Sequence, residues 1–271
     1  MDNLWRVAAV QMNAGLNKRA NLARAEALVA EAAAGGAQLV VLPELFNLYG
    51  DLQQAAAEAE SAEGTTLQRL SAWARQHRVW LAGSFASRES SADPRVHNLA
   101  VLIDPAGQER ARYAKLHLFD IDLPGQVTSR ESDHFAAGEE VVCAATDWGP
   151  AGLAICYDLR FPELFRGLVE RGAELLIVPS AFTRATGADH WELLVRARAV
   201  ENQAFVIAAN QVGEHAAQSV SYGHSLIVDP WGRVLARADG EREAVVHATL
   251  DRGLLNEIRA RLPALQHRRI R

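Results

Sequence analysis

Short apolar runs alternate with longer stretches in which apolar positions recur every three or four residues, which predicts an α/β chain. Val7–Met12 is a nearly continuous apolar run, the pattern of a buried strand, and an Ala-rich helix follows from about Asn21 to Ala34. Gly35-Gly36 stops that helix, since glycine takes the left-handed conformation of a helix end without a Cβ clash. Gln38–Leu42 is the next strand, Thr66–Gln76 the next helix and Val79–Phe85 the strand after it. Asn98–Asp104 and Gln108–Tyr113 flank Pro105-Ala106-Gly107, which reads as a hairpin.

The second half repeats this grammar. Gly152–Cys156, Glu174–Val178 and Phe205–Asn210 read as strands, with helices over Glu163–Arg171 and His190–Glu201 between them. Ser225–Asp229 and Val234–Ala238 flank Pro230-Trp231-Gly232 as a second hairpin, and a short helix, Leu254–Leu262, precedes the tail. The halves also match in letters. Gly36-Ala37-Gln38-Leu39-Val40-Val41-Leu42-Pro43 parallels Gly172-Ala173-Glu174-Leu175-Leu176-Ile177-Val178-Pro179, and Ile103-Asp104-Pro105-Ala106-Gly107 parallels Val228-Asp229-Pro230-Trp231-Gly232. Two matches in the same order favour pseudo-symmetric halves, two β-sheets with helices outside. No Pro/Gly/Ser-rich linker separates them, so residues 1–271 are expected to form a single domain.

Composition narrows the function classes. The 271 residues carry 28 Lys and Arg against 33 Asp and Glu, a net charge of −5, with 49% hydrophobic residues. That balance suits a globular chain and excludes nucleic acid as the main partner, which needs a basic face. The basic cluster His267-Arg268-Arg269-Ile270-Arg271 reads as a solvated tail, with an interface or ligand contact as the alternative. Two cysteines, Cys143 and Cys156, cannot form a disulfide framework. The start, Met1-Asp2-Asn3-Leu4-Trp5-Arg6, lacks a signal-peptide pattern. No apolar run approaches the roughly 20 residues that span a bilayer. A cytoplasmic, reduced protein is expected, with no membrane partner.

Cys156 closes an apolar run and precedes a polar turn, Tyr157-Asp158-Leu159-Arg160, and a helix beginning near Pro162. This is the layout of a nucleophile elbow, although a cysteine here also suits a small core position. Glu44, in Leu42-Pro43-Glu44-Leu45-Phe46, puts a carboxylate directly after an apolar strand, where it is either chemical or a cap or ion pair. It occupies the slot that Ser180 holds in the second half. Lys115, in Ala114-Lys115-Leu116-His117, is a surface lysine or an ammonium poised for a developing oxyanion. Cys143, in a strand-like run, reads as structural. The nine histidines show no metal-ligand spacing, and neither common Gly-rich nucleotide-binding motif occurs. His190 is expected to open a helix as scaffold, and His224 to support packing near a dimer seam.

These three segments, in the order Glu, Lys, Cys, resemble the signature of the nitrilase superfamily of carbon–nitrogen hydrolases. The resemblance spans Val7-Ala8-Ala9-Val10-Gln11-Met12 to Leu262-Pro263-Ala264-Leu265-Gln266-His267-Arg268-Arg269. It implies a four-layer αββα sandwich, a buried Glu-Lys-Cys triad, a homodimer or larger homo-oligomer, and no metal or organic cofactor. Carried over, Cys156 is the nucleophile, Glu44 the general base and acid, and Lys115 with the Tyr157 backbone N–H the oxyanion stabiliser. Water then cleaves the thioester. Glu131, in Ser129-Arg130-Glu131-Ser132, matches a second glutamate that orients the lysine. Arg160 matches an arginine that some members aim at a substrate carboxylate, with a salt bridge to Glu163 or Glu201 as the competing reading. Phe182 is a pocket wall or a core residue.

The implied substrate is a small amide bearing a carboxylate. Ser180-Ala181-Phe182, Ser221-Tyr222-Gly223-His224-Ser225 and Gln266-His267-Arg268-Arg269 resemble amidases of deaminated glutathione, which are favoured. Phe46-Asn47 with Tyr49-Gly50, and Phe119-Asp120-Ile121-Asp122, lean towards omega-amidases of 2-oxoglutaramate and 2-oxosuccinamate. Another aliphatic amide or a nitrile is the remaining substrate reading. A silent binding relative and a Cys-His thiol hydrolase using His190 or His224 are the rivals from other classes.

Overall fold

Strand β1 (Leu4–Gln11) turns Val7 and Ala9 to one apolar surface and Ala8 and Val10 to another, and all four are buried. A strand covered on both faces must lie inside a layered fold. The computed structural model describes residues 3–61, 63–88, 93–216 and 219–270. Met1, Asp2 and Arg271, the outermost residues of the two termini discussed above, lie outside the described residues. The chain continues through α1 (Lys18–Ala34), β2 (Leu39–Val41), α2 (Leu52–Ala57), α3 (Thr65–His77), β3 (Trp80–Ser87), β4 (His97–Ile103), β5 (Glu109–Ala114) and the ribbon β6 (Asp120–Leu123) and β7 (Val127–Arg130). Then come β8 (Cys143–Thr146), β9 (Gly149–Leu153), α4 (Pro162–Glu170), β10 (Leu175–Ser180), α5 (Arg184–Asn202) and β11 (Phe205–Asn210). A second ribbon, β12 (Val212–Glu214) and β13 (Val220–Tyr222), leads to β14 (Leu226–Val228), β15 (Val234–Arg237), β16 (Ala244–Asp251) and α6 (Arg252–Arg261).

Two six-stranded sheets result, ordered β16-β1-β2-β3-β4-β5 and β8-β9-β10-β11-β14-β15. Read in that order, both sheets pair antiparallel, parallel, parallel, antiparallel, antiparallel. The repeated letters therefore mark repeated structure. The two hairpin turns even use the same chemistry: Asp104 Oδ1 accepts the N–H groups of Ala106 and Gln108, and Asp229 Oδ1 those of Trp231 and Arg233, each at 2.9 Å. The glycines that close them, Gly107 and Gly232, have φ of 78° and 84°, where a Cβ is strained.

The sheets pack face to face, with Val7, Leu39, Val41 and Leu102 sharing one core with Leu153, Leu176 and Val178. Val40, Leu81 and Val101, on the other face of the first sheet, pack under Leu22, Leu28 and Val29 of α1 and Leu70 and Trp73 of α3. Phe165 and Leu168 of α4 and Trp191 and Val195 of α5 cover the second sheet. The architecture is an αββα sandwich.

Three expectations shift. Helix α5 begins at Arg184, so His190 lies inside it rather than at its start. Its first turns look loop-like in sequence because of Gly187, yet that glycine is required: a Cβ there would sit 2.5 Å from Tyr222. Strand β9 ends at Leu153, and Cys156 opens the following 3-10 turn. The basic tail is tethered, since Arg268 Nη2 lies 2.8 Å from Glu170 Oε1 on α4, while Ile270 is exposed.

Candidate active site

Parallel strands β2 and β10 end side by side in opposite sheets, and their exits build the site. Glu44 N–H donates to the Ser180 carbonyl at 3.3 Å, so the two residues matched by the internal repeat meet. Gln211 Nε2 donates to the Glu44 carbonyl at 2.9 Å, locking this backbone from the second sheet. Leu45 is left-handed, with φ 48°, and its N–H is held by Ser84 Oγ at 3.1 Å. Lys115 follows β5, its N–H bonded to the Asn98 carbonyl at 2.9 Å and its carbonyl to Gly138 N–H at 2.8 Å. Cys156 has φ 45°, a strained value for a residue with a Cβ, as expected where a turn presents one side chain.

The four predicted chemical side chains converge and are buried. Lys115 Nζ lies 2.8 Å from Glu44 Oε1, and 3.1 and 2.9 Å from the two oxygens of Glu131. Glu131 opens a 3-10 turn, where Phe119 N–H donates to its Oε2 at 2.6 Å. The Cys156 thiol faces the same cavity and lies near enough to Glu44 and to the Ala181 N–H for both to act on its ionisation.

Burial opposes the charge on Lys115, but Glu131 and then Glu44 outweigh it and hold the ammonium well above the ordinary lysine value. Burial also raises Glu131, against the pull of Lys115. Burial pushes the Cys156 thiol well above the thiol range, the Glu44 charge adds to this, and Lys115 offsets only part of it. The resting nucleophile candidate is thus a thiol with a carboxylate at hand, not a free thiolate.

A cavity of about 210 Å³ opens over Glu44, Lys115, Glu131 and Cys156, walled by Tyr49, Phe119, Tyr157 and Phe182. Thr128, Thr183 and Ser219 add hydroxyl groups. Phe182 is therefore a wall as well as a core residue. Arg160 is not itself among the lining residues but adjoins two that are, its guanidinium 5.2 Å from the Phe182 ring centre and 5.7 Å from that of Tyr157. Its Nη1 donates to His190 Nδ1 at 3.3 Å. Glu201, its suggested partner, instead pairs with Arg198 at 2.7 Å. Among the described residues no histidine lines the cavity, which removes the structural basis for a Cys-His pair. His224 stacks on Tyr222 at 4.2 Å.

Three residues escaped sequence reasoning. Asp158, fully buried, accepts four N–H or O–H groups: Tyr113 Oη at 2.7 Å and Ile155 N at 2.8 Å on one oxygen, His117 N at 3.2 Å and His117 Nδ1 at 2.7 Å on the other. It thereby ties the lysine segment to the cysteine turn. Asn98 donates to Glu44 Oε1 at 2.7 Å and to Glu131 Oε1 at 3.4 Å. Tyr49 donates to the carbonyl of Ala181, another residue of the cavity lining, at 3.5 Å. A polar residue opening an apolar strand is the one signal that pointed to Asn98.

A family model described as carbon–nitrogen hydrolase matches residues 6–260. The deaminated glutathione amidase of Synechocystis sp. (strain PCC 6803 / GT-S) is 42% identical over 264 residues, covering 96% of this chain and 97% of that protein. The omega-amidase of Homo sapiens is 39% identical over 265 residues, covering 98% of this chain and 95% of that one. Among solved structures, a variant of the amidase from Nesterenkonia sp. AN1 superposes with a TM-score of 0.83 at 28% identity, covering 98% of this chain and 94% of that one. It shows covalent addition of the acetamide moiety of fluoroacetamide at its active site cysteine.

Proposed function

The chain belongs to the carbon–nitrogen hydrolase family, and on that premise we propose that Cys156, Glu44, Lys115 and Glu131 form an amidase site for a small carboxylate-bearing amide. The observation that carries this reading is the Lys115 ammonium held between Glu44 and Glu131 beside the Cys156 thiol. As the Cys156 sulfur attacks the amide carbon, Glu44 takes the thiol proton. Lys115 and the Tyr157 N–H, at the start of a turn whose first N–H groups lack internal partners, meet the charge that develops on oxygen. Collapse breaks the C–N bond, and Glu44 returns the proton to the departing ammonia. Water, deprotonated by Glu44, then attacks the thioester, which frees the carboxylic acid and the thiol. Glu131 acts by fixing Lys115.

Deaminated glutathione is the favoured substrate, in keeping with the similarity to that group of amidases across nearly the whole chain. Omega-amidase chemistry on 2-oxoglutaramate is the second reading, favoured by the human relative. Arg160, held against two cavity-wall rings, is the proposed contact for the substrate carboxylate. The enzyme is proposed to work as a homodimer in the cytoplasm. Exposed Trp231 and Leu262, which share one surface groove, support a partner face, and two free thiols suit a reducing compartment.

The test is ammonia release from deaminated glutathione and from 2-oxoglutaramate, side by side, with Cys156→Ala as the blank. A large preference for the first supports the favoured substrate, and a large preference for the second replaces it. Release from neither above the blank overturns both substrates.

A further inference from the structure

Two carboxylates share one ammonium at this site. The Lys115 ammonium has three N–H donors. Its contacts with Glu44 Oε1 and with both oxygens of Glu131 use all of them. Beyond the Phe119 N–H on Glu131 Oε2, the further side-chain donor to both carboxylates is Asn98, which is fully buried on β4. Its Nδ2 sends one N–H to Glu44 Oε1 at 2.7 Å and lies 3.4 Å from Glu131 Oε1, while its own carbonyl accepts the Lys115 N–H at 2.9 Å. The side chain of one residue therefore touches both carboxylates, while its main chain holds the backbone of the lysine between them.

Its orientation has a physical cause. Turned the other way, the amide oxygen would face two carboxylate oxygens, so the donors point inward whenever those carboxylates are ionised. The Asn98 Oδ1 atom is left buried without a hydrogen-bond partner on the other side. The inward turn of the donors is therefore kept although the outward oxygen gains no protein donor by it.

We propose that Asn98 is a positioning residue for the base: together with Lys115 it saturates Glu44 Oε1 and so leaves the second oxygen of Glu44 to take the Cys156 proton. This rests on the reading of Glu44 as base given above. The charged and titratable groups that face Glu44 are Lys115 after β5, Glu131 in its 3-10 turn, Cys156 after β9 and Tyr49 in the loop beyond Glu44 itself. Asn98 differs from all four in offering Glu44 a donor that carries neither charge nor a proton to lose.

The test compares Asn98→Ala and the isosteric Asn98→Asp with the parent, using Glu44→Gln as reference. Two readouts are taken across pH: kcat and KM for ammonia release from deaminated glutathione or 2-oxoglutaramate, and the rate of Cys156 alkylation by iodoacetamide, which needs no natural substrate. Loss of the donor is expected to lower kcat about 10- to 100-fold with KM within about twofold. It also moves the acid limb of both profiles to higher pH, because a donor to the negatively charged base is gone. Asn98→Asp, which adds a negative charge, moves the limb further. A simple packing defect would lower the melting temperature without moving the limb. If Asn98→Ala does not fold, Asn98→Asp carries the test. Unchanged kcat and an unmoved limb, with Glu44→Gln inactive, overturn the role of Asn98 alone. Full activity of Glu44→Gln overturns the base itself, and this proposal with it.

Discussion

Replacing Lys115 with Met keeps most of the side chain's volume and deletes its charge, which leaves Glu44 and Glu131 buried together. Lys115 and Glu131 are each 2% exposed and Glu44 is 4% exposed, so solvent cannot compensate. Breaking a buried ion pair by removing one partner costs about 3–5 kcal/mol. In a chain of this size that is a fall of roughly 6–10 °C in Tm, at about 2 °C per kcal/mol. The sign of the pH dependence follows from Glu131, whose carboxyl burial already raises beside Lys115 and which must rise further without it. A carboxyl with a folded pKa above its unfolded value of about 4.3 binds its proton more tightly when folded. The stability it supports is present below that unfolded value and is lost as pH climbs through the folded one. The deficit of Lys115→Met relative to the parent is therefore large at pH 8 and small at pH 5. Thermal unfolding followed by circular dichroism at both pH values measures it, with Lys115→Met/Glu131→Gln expected to regain about half the loss. Equal Tm values for parent and variant at pH 8, or equal deficits at the two pH values, would refute the reasoning.

Asp158→Ala should lower stability by about 3 kcal/mol, because buried donors on Tyr113, Ile155 and His117 lose their acceptor, and should cut ammonia release as the lysine and cysteine segments separate. Asp158→Asn, which keeps one acceptor oxygen, should lose less in a urea titration; the reverse ranking would count against the brace. Gly138→Ala drives a Cβ into the Ala114 carbonyl, one residue before Lys115. It should cost about 1–3 kcal/mol and lower kcat more than it raises KM, and a variant with parental kcat would show that this loop does not aim the lysine.

The interior strands, the five longer helices apart from the first turns of α5, and both hairpin turns were legible in the sequence because their causes are local. An apolar run long enough for a strand and a Pro-x-Gly turn opened by aspartate act within a few residues. The same holds for Glu44 and Cys156, each a charged or reactive residue placed directly after an apolar run. Lys115 instead follows the charged, alternating strand β5 and was singled out only by its neighbours Ala114 and Leu116 and by the family resemblance. Strand β16 was missed for the converse reason. Its alternating, half-exposed residues carry a weak signal, and it is made a strand by pairing with β1, Leu4 opposite Asp251, at the other end of the chain.

What tertiary structure alone decided is which of these residues meet. The sequence determined the halves, their repeat and three suspects for the chemistry. It did not show that Glu44 would bond across to Ser180, that Asn98 would supply donors to both glutamates, or that Asp158 would join Tyr113 and His117 to the cysteine turn. It left Arg160 with an acidic partner as an equal option, where the fold sets it against two aromatic rings. The physical reason is common to all four. A hydrogen bond or a charge contact acts over a few ångströms, and in each case at least one partner is distant in the chain, so the contact exists only once the strand ends and turns of the fold have been brought together.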